Sequence, residues 1–265
     1  MQTQIHCMKK IYLVVFVLLS TYVLGQKKNE KKAEEQPTQV TSNQEVTRKV
    51  SNDESTYRAM LQNALKYNDV STAIVACHYL LALNPQSMGI KDTLVMLYFE
   101  SRSFLQVIML TGEILQTDAE NTKMLELQAI SQQNLGLIKE ALGSYEKLHS
   151  KTKALSHLYQ IATLQYALKR YGECEASIVE ILKDPKSEQE KVGVIVGNQG
   201  RQEVILKAAA LNMAGVVYME QNQDDKAKKF FEEAQKVDKD FILPKGNLEF
   251  LANKTNQNKT NQNKK

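Results

Sequence analysis

Leu211-Asn-Met-Ala214-Gly215-Val-Val-Tyr218, followed by Ala227-Lys-Lys-Phe-Phe231-Glu-Glu-Ala234, is the stretch on which the fold turns. Leu211, Ala214, Gly215 and Tyr218 recur at three- and four-residue steps, so they share one helix face. Ala227, Phe231 and Ala234 do the same on a second helix. The small residues Ala214, Gly215 and Ala227 let two helices approach, and Tyr218 and Phe231 fill the space beside them. Between the helices, Gln221-Asn-Gln-Asp-Asp225 is a polar turn that stops one and starts the next.

The stretch Ala208 to Asp238 resembles one unit of the tetratricopeptide repeat (TPR) family, a helix-turn-helix of about 34 residues. The same pattern recurs upstream. Tyr57, Met60, Leu61 and Ala64 mark a first helix, and Ala73, Cys77, Leu80 and Pro85 its partner. A step of about 34 residues leads to Lys91, Leu94, Val95 and Tyr98, then Val107, Thr111, Ile114 and Ala119. The next step leads to Leu125, Gln128, Ala129 and Gln132, then Ala141, Tyr145 and Leu148, with Gly136 in the turn. A fourth unit follows one residue early: Leu158, Ile161 and Ala162, then Cys174, Ile178 and Ile181, ending at Asp184-Pro185 because proline cannot continue a helix interior.

The register breaks between Pro185 and Ala208. Lys191-Val-Gly-Val-Ile-Val196 and Arg201-Gln-Glu-Val-Ile-Leu206 flank Gly197-Asn-Gln-Gly200, a hairpin signal. Gln-Glu-Val-Ile-Leu-Lys suits a helix equally well, so a lengthened first helix of the last unit stays open. Long insertions in repeat arrays often lie on the binding face. Phe241 to Asn253 supplies a closing helix for the stack, with Leu248 and Leu251 as its apolar contacts.

The expected fold is all-α: a right-handed TPR α-solenoid of about five repeats over 54–252, with a short β-hairpin insertion or helix extension at 186–207 and a C-terminal capping helix. Composition agrees: 43% of the 265 residues are apolar, with only 4 prolines and no tryptophan. Residues 1–25 read as a signal peptide, with Lys9-Lys10 before the apolar run Ile11 to Leu24 and Gly25 at the cleavage point. Met8 is a more natural start than Met1, because Met8-Lys-Lys is a compact positive n-region. The leader sets an expectation of export, to the periplasm or cell surface of a bacterium. Residues 26–53 read as a disordered linker, and 253–265, rich in Asn, Lys, Thr and Gln, as a disordered basic tail.

Six of the 34 basic residues (Lys9, Lys10, Lys254, Lys259, Lys264, Lys265) lie in leader and tail, leaving 28 against 30 acidic ones. The repeat region therefore carries no basic nucleic-acid footprint. Cys77 and Cys174 fall on second helices at core-facing positions far apart along the array, which predicts free buried thiols. No phosphate-binding loop, nucleophile elbow or metal-ligand spacing is present, so neither enzyme activity nor a cofactor is expected.

The resemblance implies a concave face lined by the first helices and used for a protein or peptide partner. Its inward positions are Arg58 and Gln62 in the first unit and Asp92, Met96 and Phe99 in the second. The third contributes Glu126, Ile130 and Gln133, and the fourth Tyr159, Thr163 and Tyr166. The fifth contributes Asn212, Val216 and Met219. Of these, Arg58, Met96, Phe99, Ile130, Tyr159, Tyr166, Val216 and Met219 are the candidate contacts, an adaptable apolar surface with aromatic anchors. The expected role is a non-catalytic scaffold for protein–protein interaction in the bacterial envelope. The alternative is a structural subunit that acts by self-association.

Overall fold

Five helix pairs and a closing helix follow one another along the chain, in a computed structural model that describes residues 42–197 and 200–262. The pairs are α1 (Ser42–Lys66) with α2 (Val70–Leu83), α3 (Met88–Glu100) with α4 (Phe104–Thr117), and α5 (Thr122–Asn134) with α6 (Ile138–Thr152). Then come α7 (Leu155–Ala167) with α8 (Tyr171–Lys183), and α9 (Leu206–Glu220) with α10 (Asp224–Val237). The closing helix is α11 (Ile242–Gln262). Residues from Val46 onward form one unit. The leader and residues 26–41 of the expected linker lie outside the described residues.

Every pair is closed by the same turn. Asn68, Arg102, Gly136, Lys169 and Asn222 all hold positive φ, between 57° and 73°. Each is bracketed by two backbone bonds, as in Asn68 N–H to Leu65 O (3.2 Å) with Asp69 N–H to Ala64 O (2.8 Å). Gln133 O with Gln132 O, and Met219 O with Tyr218 O, accept the corresponding pairs after α5 and α9. This double bond around a left-handed residue satisfies the last carbonyls of a helix and reverses the chain. Gly136 and the two asparagines enter that conformation readily. Arg102 and Lys169 do so at a cost of about 1 kcal/mol each.

Packing within each pair follows a size rule. Residues sixteen apart, one on each helix, pair as Leu61 with Cys77, Val95 with Thr111, Ala129 with Tyr145, Ala162 with Ile178 and Gly215 with Phe231. All are buried. Four of the five set a larger residue against a smaller one, Val95 and Thr111 being matched in size, and Gly215 faces the fully buried Phe231. The interhelical gap stays filled without strain, as close packing requires. Residues twelve apart form a second pairing: buried Gln132 accepts from Ser144 Oγ at 2.8 Å, Gln165 accepts from Ser177 Oγ at 2.9 Å, and Tyr218 stacks on Phe230 at 5.2 Å.

The early start of the fourth unit has a local cause. Lys153 is left-handed (φ 54°), so Lys153-Ala154 alone joins α6 to α7, where Asn84–Ser87 and Asp118–Asn121 join the earlier units. The insertion is a hairpin. After a 3-10 turn at Pro185–Glu188, β1 (Lys191–Ile195) pairs antiparallel with β2 (Arg201–Ile205), Lys191 opposite Ile205 and Ile195 opposite Arg201. Val192, Val204 and Leu206 join the core cluster of the third to fifth units. Ile205 N–H donates to Asp238 Oδ2 (3.0 Å), and Gln202 Nε2 donates to Asp240 O (2.7 Å) while its Oε1 accepts from Ile242 N–H (3.2 Å). The hairpin is thereby fastened to the turn before α11.

Two boundaries differ from the sequence reading. Helix α1 begins at Ser42, twelve residues before the domain start placed at 54, and α11 continues to Gln262 through residues expected to be a disordered tail. Six of the ten residues from Asn253 to Gln262 are Asn or Thr, weak helix formers; the extension starts where Lys254 Nζ pairs with Asp224 of α10 at 2.8 Å. At the start of α11, Pro244 lies in the first turn, where its missing N–H has no helical partner to lose. Among the described residues no helix is long and apolar enough to cross a membrane.

Candidate functional site: the face of the first helices

The candidate residues lie on the first helices of the pairs, held in step by the repeated turns. On α3, Met96 and Phe99 are half-buried against Val95, Val107 and Met124, and the Phe99 ring meets Phe104 edge-on at 6.0 Å. Asp92 stands one turn earlier. Its Oδ1 is withdrawn from solvent and has no hydrogen-bond partner among the described residues. On α5, Ile130 is half-buried against the main core, Glu126 is exposed, and Gln133 Oε1 accepts from Tyr145 Oη at 3.5 Å. On α7, Tyr166 is half-buried; its hydroxyl donates to Glu220 Oε1 at 3.3 Å and its ring lies 5.9 Å from Tyr171.

The other candidates are engaged differently. Tyr159 is a correction: it is only 5% exposed and belongs to the core. The ring lies in the buried cluster that α7 shares with Cys174 of α8 and with Ala208, Ala209 and Ala210 of α9, which packs against α7. Burial, with the Cys174 thiol nearby, pushes the Tyr159 phenol well above its ordinary range. Val216 and Met219 pack against the cluster of Ala227, Phe231 and Leu251, and Asn212 Oδ1 accepts from Asn247 Nδ2 at 3.0 Å. In the last unit, then, the inward positions meet α11. Arg58 Nε donates to Glu54 Oε1 of its own helix at 2.8 Å.

A polar cluster missed by the sequence reading stands where α5, α6 and α7 meet. His157 Nε2 lies 3.8 Å from Glu126 Oε1 and its Nδ1 lies 2.9 Å from Thr152 Oγ1. Burial lowers the His157 pKa below its ordinary value, opposed by the neighbouring Glu126 carboxylate. Tyr145, facing the same group, is pushed up to about 12, chiefly by burial and next by Glu126. Its only sequence signal was a histidine one helical turn into α7, with Glu126 one repeat earlier. The thiols sit where the repeat register puts them. Cys77 and Cys174 are free and buried, and burial raises them to about 11 and about 12. A surface recess of about 490 Å3, lined by Leu115, Gln128 and Lys151 among others, shares no residue with the first-helix face candidates.

Successive helix pairs, one shared turn and a core continuous from pair to pair define an α-solenoid. Its fold is the tetratricopeptide-repeat fold. Solved structures similar to it include MamA, with a TM-score of 0.56 at 11% identity over 71% of this chain and 93% of that one. Another is YrrB, described as a TPR protein with an unusual peptide-binding site, with a TM-score of 0.56 at 13% identity over 77% of this chain and 95% of that one. MamA from residue 41 to its end, from Desulfovibrio magneticus RS-1, gives 0.53 at 8% identity over 71% and 96%. No protein-family model matches the chain, and no curated protein matches its sequence.

Proposed function

We propose that this chain is an exported, non-catalytic scaffold that holds a segment of a protein partner along the face of α3, α5 and α7. The observation that carries the reading is the row Met96, Phe99, Ile130 and Tyr166, half-buried side chains in repeat register on successive first helices. They rest on a rigid core, so they bind without first being ordered, which lowers the entropic cost of association. Asp92 adds polarity at the edge of the row. With Glu126 and Glu220 also on this face, the complementary segment is apolar with basic flanks. The peptide-binding site named for YrrB, a neighbour in fold alone, supports a peptide-like ligand.

Export rests on Lys9-Lys10 and the apolar run Ile11 to Leu24, and places the partner in the periplasm or at the cell surface. The test is a crosslinking pull-down of the chain from its native envelope. A reproducible partner should be recovered, and the double substitution F99A/Y166A should lose it while the far-UV circular dichroism spectrum is kept. Recovery of the same partner by the double variant would sink the assignment of this face. A second reading, self-association, is favoured by the exposed apolar side chains Val75 and Tyr79 on α2 and Leu105 and Met109 on α4.

A further inference from the structure

The hairpin between the fourth and fifth units has two edges, and they are not alike. Glu190 O accepts from Leu206 N–H at 2.9 Å, and Val196 N–H donates to Gly200 O at 2.8 Å. In the register that sets Val192 opposite Val204 and Val194 opposite Gln202, those two pairs carry the bonds between the strands. The backbone groups of the alternate residues point outward. On β2, Ile205 N–H is taken by Asp238 Oδ2 at 3.0 Å. The other outward residues there, Arg201 and Glu203, are charged and paired with each other at 3.0 Å, a usual way of blunting an edge. On β1 the outward groups belong to Lys191, Gly193 and Ile195, and none is hydrogen-bonded among the described residues. Lys191 and Ile195 are exposed, Ile195 by 68%, and the partial exposure of Gly193 is exposure of backbone. Proline and bulge are both missing from β1, whose register is unbroken. The strand is held flat from below, since Val192 is buried in the main core and Val194 packs against it.

We propose that β1 takes an extended segment of a partner protein as a third strand, antiparallel along Lys191–Ile195. The edge itself selects this occupant. Donors and acceptors at two-residue spacing on a strand are matched by another extended backbone. A helix has already spent its own backbone groups, and a lipid surface offers no such row. In the antiparallel arrangement Lys191, Gly193 and Ile195 each exchange both bonds with the residue opposite. Their side-chain positions set the chemistry of the segment. Exposed Ile195 calls for an apolar residue opposite, and Lys191 for a carboxylate. A Cβ built on Gly193 would fall inside the Arg201 side chain, so the guanidinium lies across the glycine. A ring opposite Gly193 covers the gap and meets that guanidinium. From its N-terminus the segment therefore reads apolar, aromatic, acidic at alternate positions. A third strand also suits the hairpin, because two strands alone are marginally stable. This edge shares no residue with the row Met96, Phe99, Ile130 and Tyr166, so the two surfaces can be tested apart.

The test is a titration of the isotope-labelled full chain, read by NMR as backbone amide shifts and hydrogen exchange. The probe is the acetylated, amidated peptide Thr-Val-Thr-Tyr-Thr-Glu-Thr, which sets its valine, tyrosine and glutamate opposite Ile195, Gly193 and Lys191. Saturable protection of those three amides is expected. Methylating the backbone nitrogen of the peptide's tyrosine removes a donor that faces β1 and should weaken binding at least about tenfold. Methylating the threonine before it, whose N–H faces away, should leave binding unchanged. I195P should weaken binding as strongly while keeping the parent's melting temperature, because the bonds between β1 and β2 run through Val192, Val194 and Val196. Absence of saturable protection at the three amides would overturn the proposal. Binding weakened equally by both methylations, or kept in I195P, would also overturn it, since the backbone edge would not be what the peptide meets. Protection that grows with protein concentration without peptide would give the edge to a second copy instead. Saturating shifts at Phe99 and Tyr166 in place of β1 would put the peptide on the first-helix face.

Discussion

Replacing Gly215 by alanine tests the packing rule at its tightest point. A Cβ built on Gly215 falls 2.4, 2.6 and 2.9 Å from Cε1, Cδ1 and Cζ of Phe231, all shorter than real Cβ contacts. The ring is fully buried and shares its cluster with Ala227 and Leu251, so it has little room to withdraw. Overpacking of this kind costs about 1–3 kcal/mol, and three close contacts put the cost near the upper end. Alanine in place of glycine inside a helix returns about 1 kcal/mol. The net loss is therefore about 2 kcal/mol, or about 4–8 °C in melting temperature for a domain of this size. Gly143, on α6, supplies the opposite case, since nothing lies within 4 Å of its added Cβ. There the same substitution should stabilise by about 0.5–1 kcal/mol. Urea titrations followed by circular dichroism read both signs. A third variant closes the cycle: leucine at 231 lacks Cε1 and Cζ, so G215A should cost less in the F231L background by at least about 1 kcal/mol. If G215A matched or exceeded the parent in stability, or if the two changes added without coupling, the size rule would be wrong.

The polar pairing between helices makes a parallel prediction. S144A leaves Gln132 Oε1 buried without its donor and should cost about 1–3 kcal/mol, and adding Q132L should recover part of that loss in the same urea titration. His157 sets a pH response. Its folded pKa lies below the ordinary value of 6.5, so below that pH the unfolded chain takes up a proton more readily than the folded one. Stability is then full above about pH 6.5 and falls as pH drops toward the folded pKa. H157Q should lose less melting temperature than the parent between neutral pH and pH 5.5, and an equal loss in both would exclude His157 as the source.

How far the sequence carries depends on whether a property is local. The turns and small–large contacts lie within 34 residues of one another, and the register from Tyr57 to Leu148 read directly as helix pairs. The hairpin was left open because Gln202 to Lys207 suits strand and helix alike. What decides it is distant in the chain: Ile205 N–H meets Asp238, and Val204 and Leu206 enter a core built mostly by other units. Tyr159 was misplaced for the same reason. Helical spacing puts it on the inward face, but its burial belongs to a core cluster that draws in residues from the far side of the insertion. The end of α11 and the start of α1 lay outside the apolar pattern that marked the domain.

The two surfaces of the array answer to different constraints. Turn and core positions repeat because every pair must reverse the chain and fill the same gap. The inward position on successive first helices reads Arg58, Asp92, Glu126, Tyr159 and Asn212, a sequence of charges, a ring and an amide with no period at all. Nothing in the fold requires that diversity, so its origin lies in what each unit meets: Glu54 for Arg58, His157 for Glu126, Asn247 for Asn212. Asp92 alone in that row leaves a shielded oxygen without a partner among the described residues, and it stands beside Met96 on the half-buried apolar row. On the outer side the asymmetry is as sharp, with one charged side chain, Glu113, on α2 and α4 together against five, four and eight on α6, α8 and α10. Solenoid stability needs neither feature, because each pair is held by its neighbours through the core. The shielded Asp92 oxygen and the exposed apolar side chains of α2 and α4 are therefore the departures that no contact among the described residues accounts for.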